Sequence, residues 1–267
     1  MGFSPTTMSE PEFREKLTKM GELTDGINNN SAKLFRNCHR AASILPPPLS
    51  NKINDALDRL GKLIEKFFEE LAKIILNPGW PFGLMSAGDD WTEKIGGPAS
   101  RDLVPKLNED HAERRIDNKW SGPAAEAYAK MLPTQQKALE TIKATTDALD
   151  SNLHKTAWGI FGLWAGVIVA VAMYVYELSG EAAGAATGFA AALAAAAAGM
   201  STIKVTTLVT ALSVALLAYM NNISDSMTTL KQTLAGLPEW PKSTTADFND
   251  GKHTTKDPTD WRIRTND

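Results

Sequence analysis

The side chains best suited to chemistry are scattered along this chain. The first candidates for metal ligation or nucleophilic attack are four histidines and one cysteine: His39, His111, His154, His253 and Cys38. None is paired with another at metal-site spacing, and no phosphate-binding glycine loop, nucleophile elbow or paired-acid motif is found. Asp89-Asp90 and Glu109-Asp110 are interpreted as solvated loop charges. The sequence predicts no catalytic residue, metal or cofactor, and so not an enzyme.

Charge and composition narrow the classes of partner. The net charge is -3, and the chain shows neither a basic stripe nor an aromatic platform, which argues against nucleic acid as a partner. Cys38 is the only cysteine, so the fold has no intramolecular disulfide, and we expect Cys38 to be a small core residue on an amphipathic helix. The N-terminus lacks a basic start followed by an apolar run, so no Sec signal peptide is expected.

The most informative stretch runs from Trp120 to Tyr128 and reads WSGPAAEAY. Ser121 and Gly122 can form a sharp turn, and Pro123 is pre-set for the first position of a helix. Tyr128 and Leu132 are four residues apart, which places them on one face of that helix. A ring at the turn and another inside the helix would hold one helix against a second.

This stretch resembles the Trp-x-Gly signature of the WXG superfamily of type VII (ESX) secretion substrates. Its longer form, W-x-G-x-A-A-x-x-Y, is similar to the ESX secretion-associated (Esp) proteins, and the matching residues are Trp120, Gly122, Ala124, Ala125 and Tyr128. The resemblance covers about residues 50–155, with the hydrophobic region that follows a looser match. It implies a secreted or cell-surface protein that is recognised by type VII machinery and pairs with itself or another helical secretion partner.

Two features depart from that family. Its members join their two helices directly at the Trp-x-Gly turn, whereas here the Gly- and Pro-rich segment 78–119 intervenes. They also often carry a Tyr-xxx-Asp/Glu secretion element, but the residues four positions after the four tyrosines of this chain are Leu132, Leu178, Gly180 and Ile223. The export signal is therefore degenerate, supplied by a partner, or absent.

Apolar residues spaced three and four apart predict three helices. A capping box at Ser9 and Glu12 begins the first, which ends at Pro46, and the Asn28–Asn30 run could break its middle. The second helix has its pairing seam at Ile53, Leu57, Leu60, Ile64, Phe67 and Leu71. The third begins after Gly122 and has its seam at Leu132, Leu139, Ile142 and Leu149, with an expected kink at Pro133. We expect the two seams to pair, with Trp120 at the corner.

The second half is strongly hydrophobic. Three uncharged stretches, 156–176, 182–203 and 205–224, each approach the roughly 20 residues that a membrane-spanning helix needs. The first is the strongest candidate for membrane contact, and its principal residues are Trp158, Trp164, Val167 and Tyr174. A buried helical core or an oligomer interface explains the same stretches, and the sequence leaves both alternatives open.

These patterns predict an all-α, elongated protein: a helical hairpin or bundle with a hydrophobic, Ala/Gly-rich helical region. The predicted organisation is an N-terminal helix (1–48), a WXG-like hairpin with the inserted loop 78–119 (49–155), the hydrophobic helices (156–236) and a polar tail (237–267). The resemblance implies a non-enzymatic type VII substrate acting through helix pairing, oligomerisation and membrane contact. The alternatives are a membrane-inserting, pore-forming effector and a resident membrane protein with a coiled-coil domain.

Overall fold

A computed structural model of the protein describes residues 8–107, 123–186 and 190–236, with side chains for all of these except 123–129. In these ranges the chain forms five α-helices and no strand, so the predicted all-α class is confirmed. The helices are α1 (Glu10–Ile44), α2 (Pro47–Ile75), α3 (Pro81–Trp91), α4 (Pro123–Ala185) and α5 (Ala191–Ala235). After α3 come two π-helical turns, Thr92–Gly96 and Ala99–Leu103, and a 3₁₀ turn, Pro105–Leu107.

The chain divides into two compact units. Unit 1 comprises Met1–Phe82 and Lys155–Asn222, and unit 2 comprises Gly83–His154 and Ile223–Asp267. Unit 1 therefore contains α1, α2, the C-terminal half of α4 and most of α5. The division interleaves segments from both ends of the sequence, whereas the predicted domains follow one another along the chain.

Helices α1 and α2 form as their apolar spacing predicts. The backbone N–H of Ser9 donates to the Glu12 carboxylate at 2.7 Å, as in the predicted capping box at the start of α1. The buried residues of α1 recur every seven positions, at Phe13, Met20, Ile27 and Leu34. Those of α2 do the same at Ile53, Leu60, Phe67 and Ile74. A seven-residue repeat keeps one stripe of each helix facing its neighbours in the bundle.

The asparagine run does not break α1, and one of its members helps to fix the helix register. Asn30 donates from Nδ2 to the carbonyl oxygen of Val175 at 3.2 Å, and Asn37 donates to that of Ala182 at 2.9 Å. Both bonds join residues 145 positions apart, so α1 and α4 run parallel in one fixed register. The possible break does not occur, because the side chain of Asn30 bonds to α4 instead of competing for the backbone of α1.

Helices α4 and α5 pack in unit 1 as an antiparallel hairpin. The Tyr174 hydroxyl lies 2.6 Å from Thr202 Oγ1, while a Cβ on Gly166 would come within 2.8 Å of Leu212. Gly166 therefore lets the two backbones approach closely. Helix α5 continues without a break through Lys204, so the second and third uncharged stretches are not divided at this residue.

Helix α4 also joins two predicted elements. It continues through Pro133, and it carries both the third predicted seam and the uncharged stretch 156–176. In unit 2, Gly88 of α3 and Gly96 of the first π turn lie against Asp150 and Thr146 of α4, so closely that an added Cβ would clash at either position. These two glycines allow the segment after α3 to pack on the N-terminal half of α4.

Candidate functional site

The pairing-seam residues predicted from the heptads are mostly buried, but the two seams belong to different units. In unit 1, five of the six seam residues of α2 are buried, and Ile64 is half-buried. In unit 2, Leu132 and Leu139 are buried, while Ile142 and Leu149 are half-buried. Within unit 1 the α2 seam contacts α4, as shown by Phe67 and Tyr174, whose ring centroids are 5.4 Å apart.

The residues selected as membrane candidates point into unit 1. Trp164, Val167 and Tyr174 are buried, and Trp158 is half-buried. The polar ring groups of the two buried aromatic residues have partners: Trp164 Nε1 donates to the carbonyl oxygen of Pro78 at 2.8 Å, and the Tyr174 hydroxyl pairs with Thr202. Nearby, the rings of Phe13 and Phe161 stack edge to face at 5.4 Å. These side chains form the core of the bundle.

The opposite side of α4 and α5 carries most of the large exposed apolar residues of unit 1. We call this set the outer apolar face and define it as Val169, Met173, Tyr176, Leu193, Met200, Ile203, Leu208, Val214 and Leu217. Leu193 is 74% exposed and Met200 is 71% exposed. Leu193, Met200 and Val214 share one heptad position, so they project from the same side of α5. On a soluble protein, exposed apolar residues normally occur singly, whereas α5 exposes several of them on one side.

The outer surfaces of α1 and α2 have the opposite character. Their exposed positions are mainly charged or polar, and their large exposed apolar residues lie only near the helix ends, at Ile44, Leu49, Ile75 and Leu76. Helices of one bundle usually expose polar residues on every outer side. In unit 1 the helices differ: α1 and α2 present charge to the solvent, and α4 and α5 present hydrocarbon.

Charges at the edge of the outer apolar face are paired. Lys204 is the only charged residue of α5 before Asp225, and its Nζ lies 2.8 Å from Glu177 Oε1. This hydrogen bond from Lys204 lowers the pKa of the Glu177 carboxyl. Glu181 accepts a hydrogen bond from Ser201 at 2.7 Å, yet burial raises the pKa of its carboxyl. Its other oxygen, Oε2, is buried and has no hydrogen-bond partner among the described residues.

Three hydroxyl groups in the apolar part of α5 are satisfied within the helix. Thr206, Thr207 and Ser213 each donate to the backbone carbonyl four residues earlier, at 2.7, 2.8 and 3.0 Å. The exposed Thr207 thus needs no water to satisfy its hydroxyl donor. These three hydroxyl groups are therefore compatible with an apolar neighbour.

Both α4 and α5 are long and apolar enough to cross a membrane. The core helix of a soluble protein passes the same test when it is mostly buried. In α5, however, only 11% of the most apolar window is buried inside the protein. By length and composition, these two helices could allow the chain to associate with a membrane.

Unit 2 brings together three side chains that were not predicted to meet. His154 Nδ1 lies 2.8 Å from Asp150 Oδ1, and its Nε2 lies 3.8 Å from Asp89 Oδ1. The nearest ligand atoms of the three lie within 4.8 Å of one another, so the group could hold a metal ion. Asp150 and His154 are four residues apart on one helix, a spacing that sequence analysis could have used.

The Trp-x-Gly corner lies outside the described residues. Trp120 and Gly122 are not described, Tyr128 is described only as part of the backbone of α4, and the tail 237–267 is likewise outside. Comparison of the chain with models of protein families, with curated proteins and with solved structures finds no match.

Proposed function

We propose that this protein is a non-enzymatic type VII secretion substrate that acts by laying the outer apolar face of α4 and α5 on a membrane or another helical chain. The observation that carries the proposal is the difference between the two sides of unit 1. One side is charged and the other presents Leu193, Met200, Leu217 and their neighbours to the solvent. Burying apolar area contributes roughly 25 cal/mol per Å², so a surface of this kind favours association.

Of the two kinds of partner, a membrane is the better supported. The exposed part of α5 combines an uncharged length of helix, internally bonded hydroxyls and a lysine already paired with Glu177. A bilayer offers hydrocarbon and few hydrogen-bond donors, so it suits a surface with these properties. The charged outer surfaces of α1 and α2 would face water in that orientation.

Vesicle flotation tests membrane contact. The full chain should float with phospholipid vesicles, and the triple variant Leu193→Ser, Val214→Ser, Leu217→Ser should remain in the soluble fraction. The matched control, Ile44→Ser with Leu76→Ser, also replaces exposed apolar residues, but at the ends of α1 and α2. Equal flotation of the triple variant and the control would contradict a role for the outer apolar face.

Export is tested separately in cells. The type VII route rests on the sequence Trp120-Ser121-Gly122. Replacing Trp120 and Gly122 by alanine should lower the amount of protein in the culture supernatant while leaving its cellular level unchanged. The control Trp91→Ala removes a partly exposed tryptophan elsewhere. Undiminished export from cells without the type VII ATPase would refute this route.

The pore-forming effector remains a second candidate because α4 and α5 form an antiparallel hairpin in which both helices are long enough to span a bilayer. Insertion would require the hairpin to leave α1 and α2. Release of a dye from vesicles, at protein concentrations where flotation is complete, distinguishes this candidate from surface contact. The third candidate, a resident membrane protein, would remain in the cell membrane whether or not type VII secretion is active.

A further inference from the structure

A groove between α2 and α5 in unit 1 has a volume of about 360 Å³, within the range of small-molecule sites. The groove exists because α5 places Ala195, Ala196 and Gly199 opposite α2, where larger side chains would close the space. A Cβ on Gly199 would meet only Leu63 Cδ1, at 3.8 Å, so the space beside it is open. Leu60 and Leu63 provide an apolar wall from α2.

The rim of this groove is mainly cationic. Lys52 and Arg59 lie seven residues apart on α2, one heptad, so they project from the same side of the helix. Asp55 lies between them, and the rim thus carries two cations against one carboxylate. Neither cation is in an ion pair with another described residue. A ligand with a single anionic group would meet these two unpaired cations.

We propose that this groove binds a free, single-chain amphiphile with an anionic head group, of the fatty-acid class. The alkyl chain would lie along Ala195, Gly199 and Leu63, and the carboxylate would contact Lys52 and Arg59. The groove also includes Met200 and Ile203, which belong to the outer apolar face. The site is complete within one chain and requires neither a bilayer nor export, so it goes beyond the proposed function.

The direct test uses a dansyl-labelled undecanoic acid and the full chain in buffer without vesicles. Fluorescence should rise to saturation, and dodecanoate should displace the probe more effectively than dodecanol, which lacks the charge. Gly199→Leu should abolish saturable binding by filling the groove. Because leucine is a better helix former than glycine, this variant should melt no earlier than the wild type. If the Gly199→Leu variant bound the dansyl probe as tightly as the wild type does, the proposal would be overturned.

Charge reversal tests the rim. Lys52→Glu with Arg59→Glu should weaken dodecanoate binding by about tenfold, because two exposed attractions become repulsions. The control Lys62→Glu with Lys66→Glu makes the same charge change on α2 outside the groove and should bind normally. If the charge-reversal variant and the control variant bind dodecanoate equally well, the assignment of the head group to Lys52 and Arg59 is overturned.

A further experiment distinguishes binding of a free ligand in the groove from contact with lipid head groups of a membrane. The variant Leu193→Ser, Val214→Ser, Leu217→Ser should lose flotation with phosphatidylglycerol vesicles but bind the dansyl probe as the wild type does. Loss of both activities in this variant, with its melting temperature unchanged, would place the probe on the outer apolar face and overturn the groove. Failure of flotation in the wild type, with normal probe binding, would count against the membrane proposal alone.

Discussion

The indole N–H of Trp164 donates to the carbonyl oxygen of Pro78 at 2.8 Å, joining the middle of α4 to the turn that ends α2. This turn contains Gly79, whose φ of 69° is in the left-handed region that glycine adopts readily. A buried tryptophan normally finds a partner for its N–H, and here a backbone group supplies it. Trp164, predicted as a candidate for membrane contact, is thus a core residue that holds two elements together.

Replacing Trp164 should therefore destabilise the bundle in water. We expect Trp164→Ala to lower the free energy of unfolding by roughly 3–5 kcal/mol, the range for a buried large aromatic. Trp158→Ala, at a half-buried position, should cost clearly less. Urea denaturation followed by circular dichroism measures both, and equal losses would mean that Trp164 does not occupy the core.

Arginine substitutions at Val167 and Val169 provide a matched pair on one helix. Val167 is 0% exposed, and Val169 is 54% exposed. Val167→Arg should cost at least about 3 kcal/mol, because it places an unpaired charge in the core. Val169→Arg should leave the melting temperature nearly unchanged and reduce vesicle flotation. The reverse order of stabilities would show that α4 is rotated from its described orientation.

The two asparagine bonds between α1 and α4 should each contribute about 0.5–1.5 kcal/mol. We expect Asn37→Ala to be less stable than Asn29→Ala by this amount. Asn29 is exposed, so its variant reports only the gain in helix propensity. Chemical denaturation of the two variants and the wild type gives the comparison. A loss at Asn37 no greater than that at Asn29 would mean that the bond to Ala182 adds nothing to stability.

Alanine at Gly88 and at Gly21 should have opposite effects. A Cβ at Gly88 would clash with Asp150, whereas a Cβ at Gly21 would have open space around it. Gly88→Ala should therefore destabilise unit 2 by roughly 1–3 kcal/mol through overpacking. Gly21→Ala should stabilise α1 by about 0.5–1 kcal/mol through helix propensity. Thermal melts of the two variants test the close packing of α3 on α4.

Because the pKa of Glu181 is raised, we predict that replacing this residue with a neutral one increases stability by an amount that depends on pH. Burial raises the pKa of this carboxyl above its ordinary value of 4.5, so the stability linked to its proton is fully present below pH 4.5 and is lost as the pH rises through the folded-state pKa. Glu181→Gln, which can still accept from Ser201, should thus melt higher than the wild type at neutral pH. The difference should shrink below pH 4.5. A constant difference across this range would assign the gain to another cause.

The helices themselves follow from local sequence. Heptad spacing places Ile53, Leu57 and Leu60 on one stripe of α2 whatever that stripe contacts, and proline at positions 46–48 separates α1 from α2. Burial of Cys38 on an amphipathic helix is confirmed for the same reason. The spacing of apolar residues within a segment, together with the repeat of the α-helix, is enough to show which side chains share a stripe.

Which sides of the apolar helices are covered could not be deduced in this way. Segment 156–176 is apolar around its whole circumference, so its composition does not separate the buried Trp164 from the exposed Tyr176. The parallel register of α1 and α4 makes that choice, because it brings residues 145 positions apart into contact. The same holds for His154 with Asp89 and for the groove beside Gly199. The sequence by itself determined the helices and their apolar stripes, while the tertiary structure decided which stripes form the core and which remain available to a partner, because burial depends on neighbours distant in the chain.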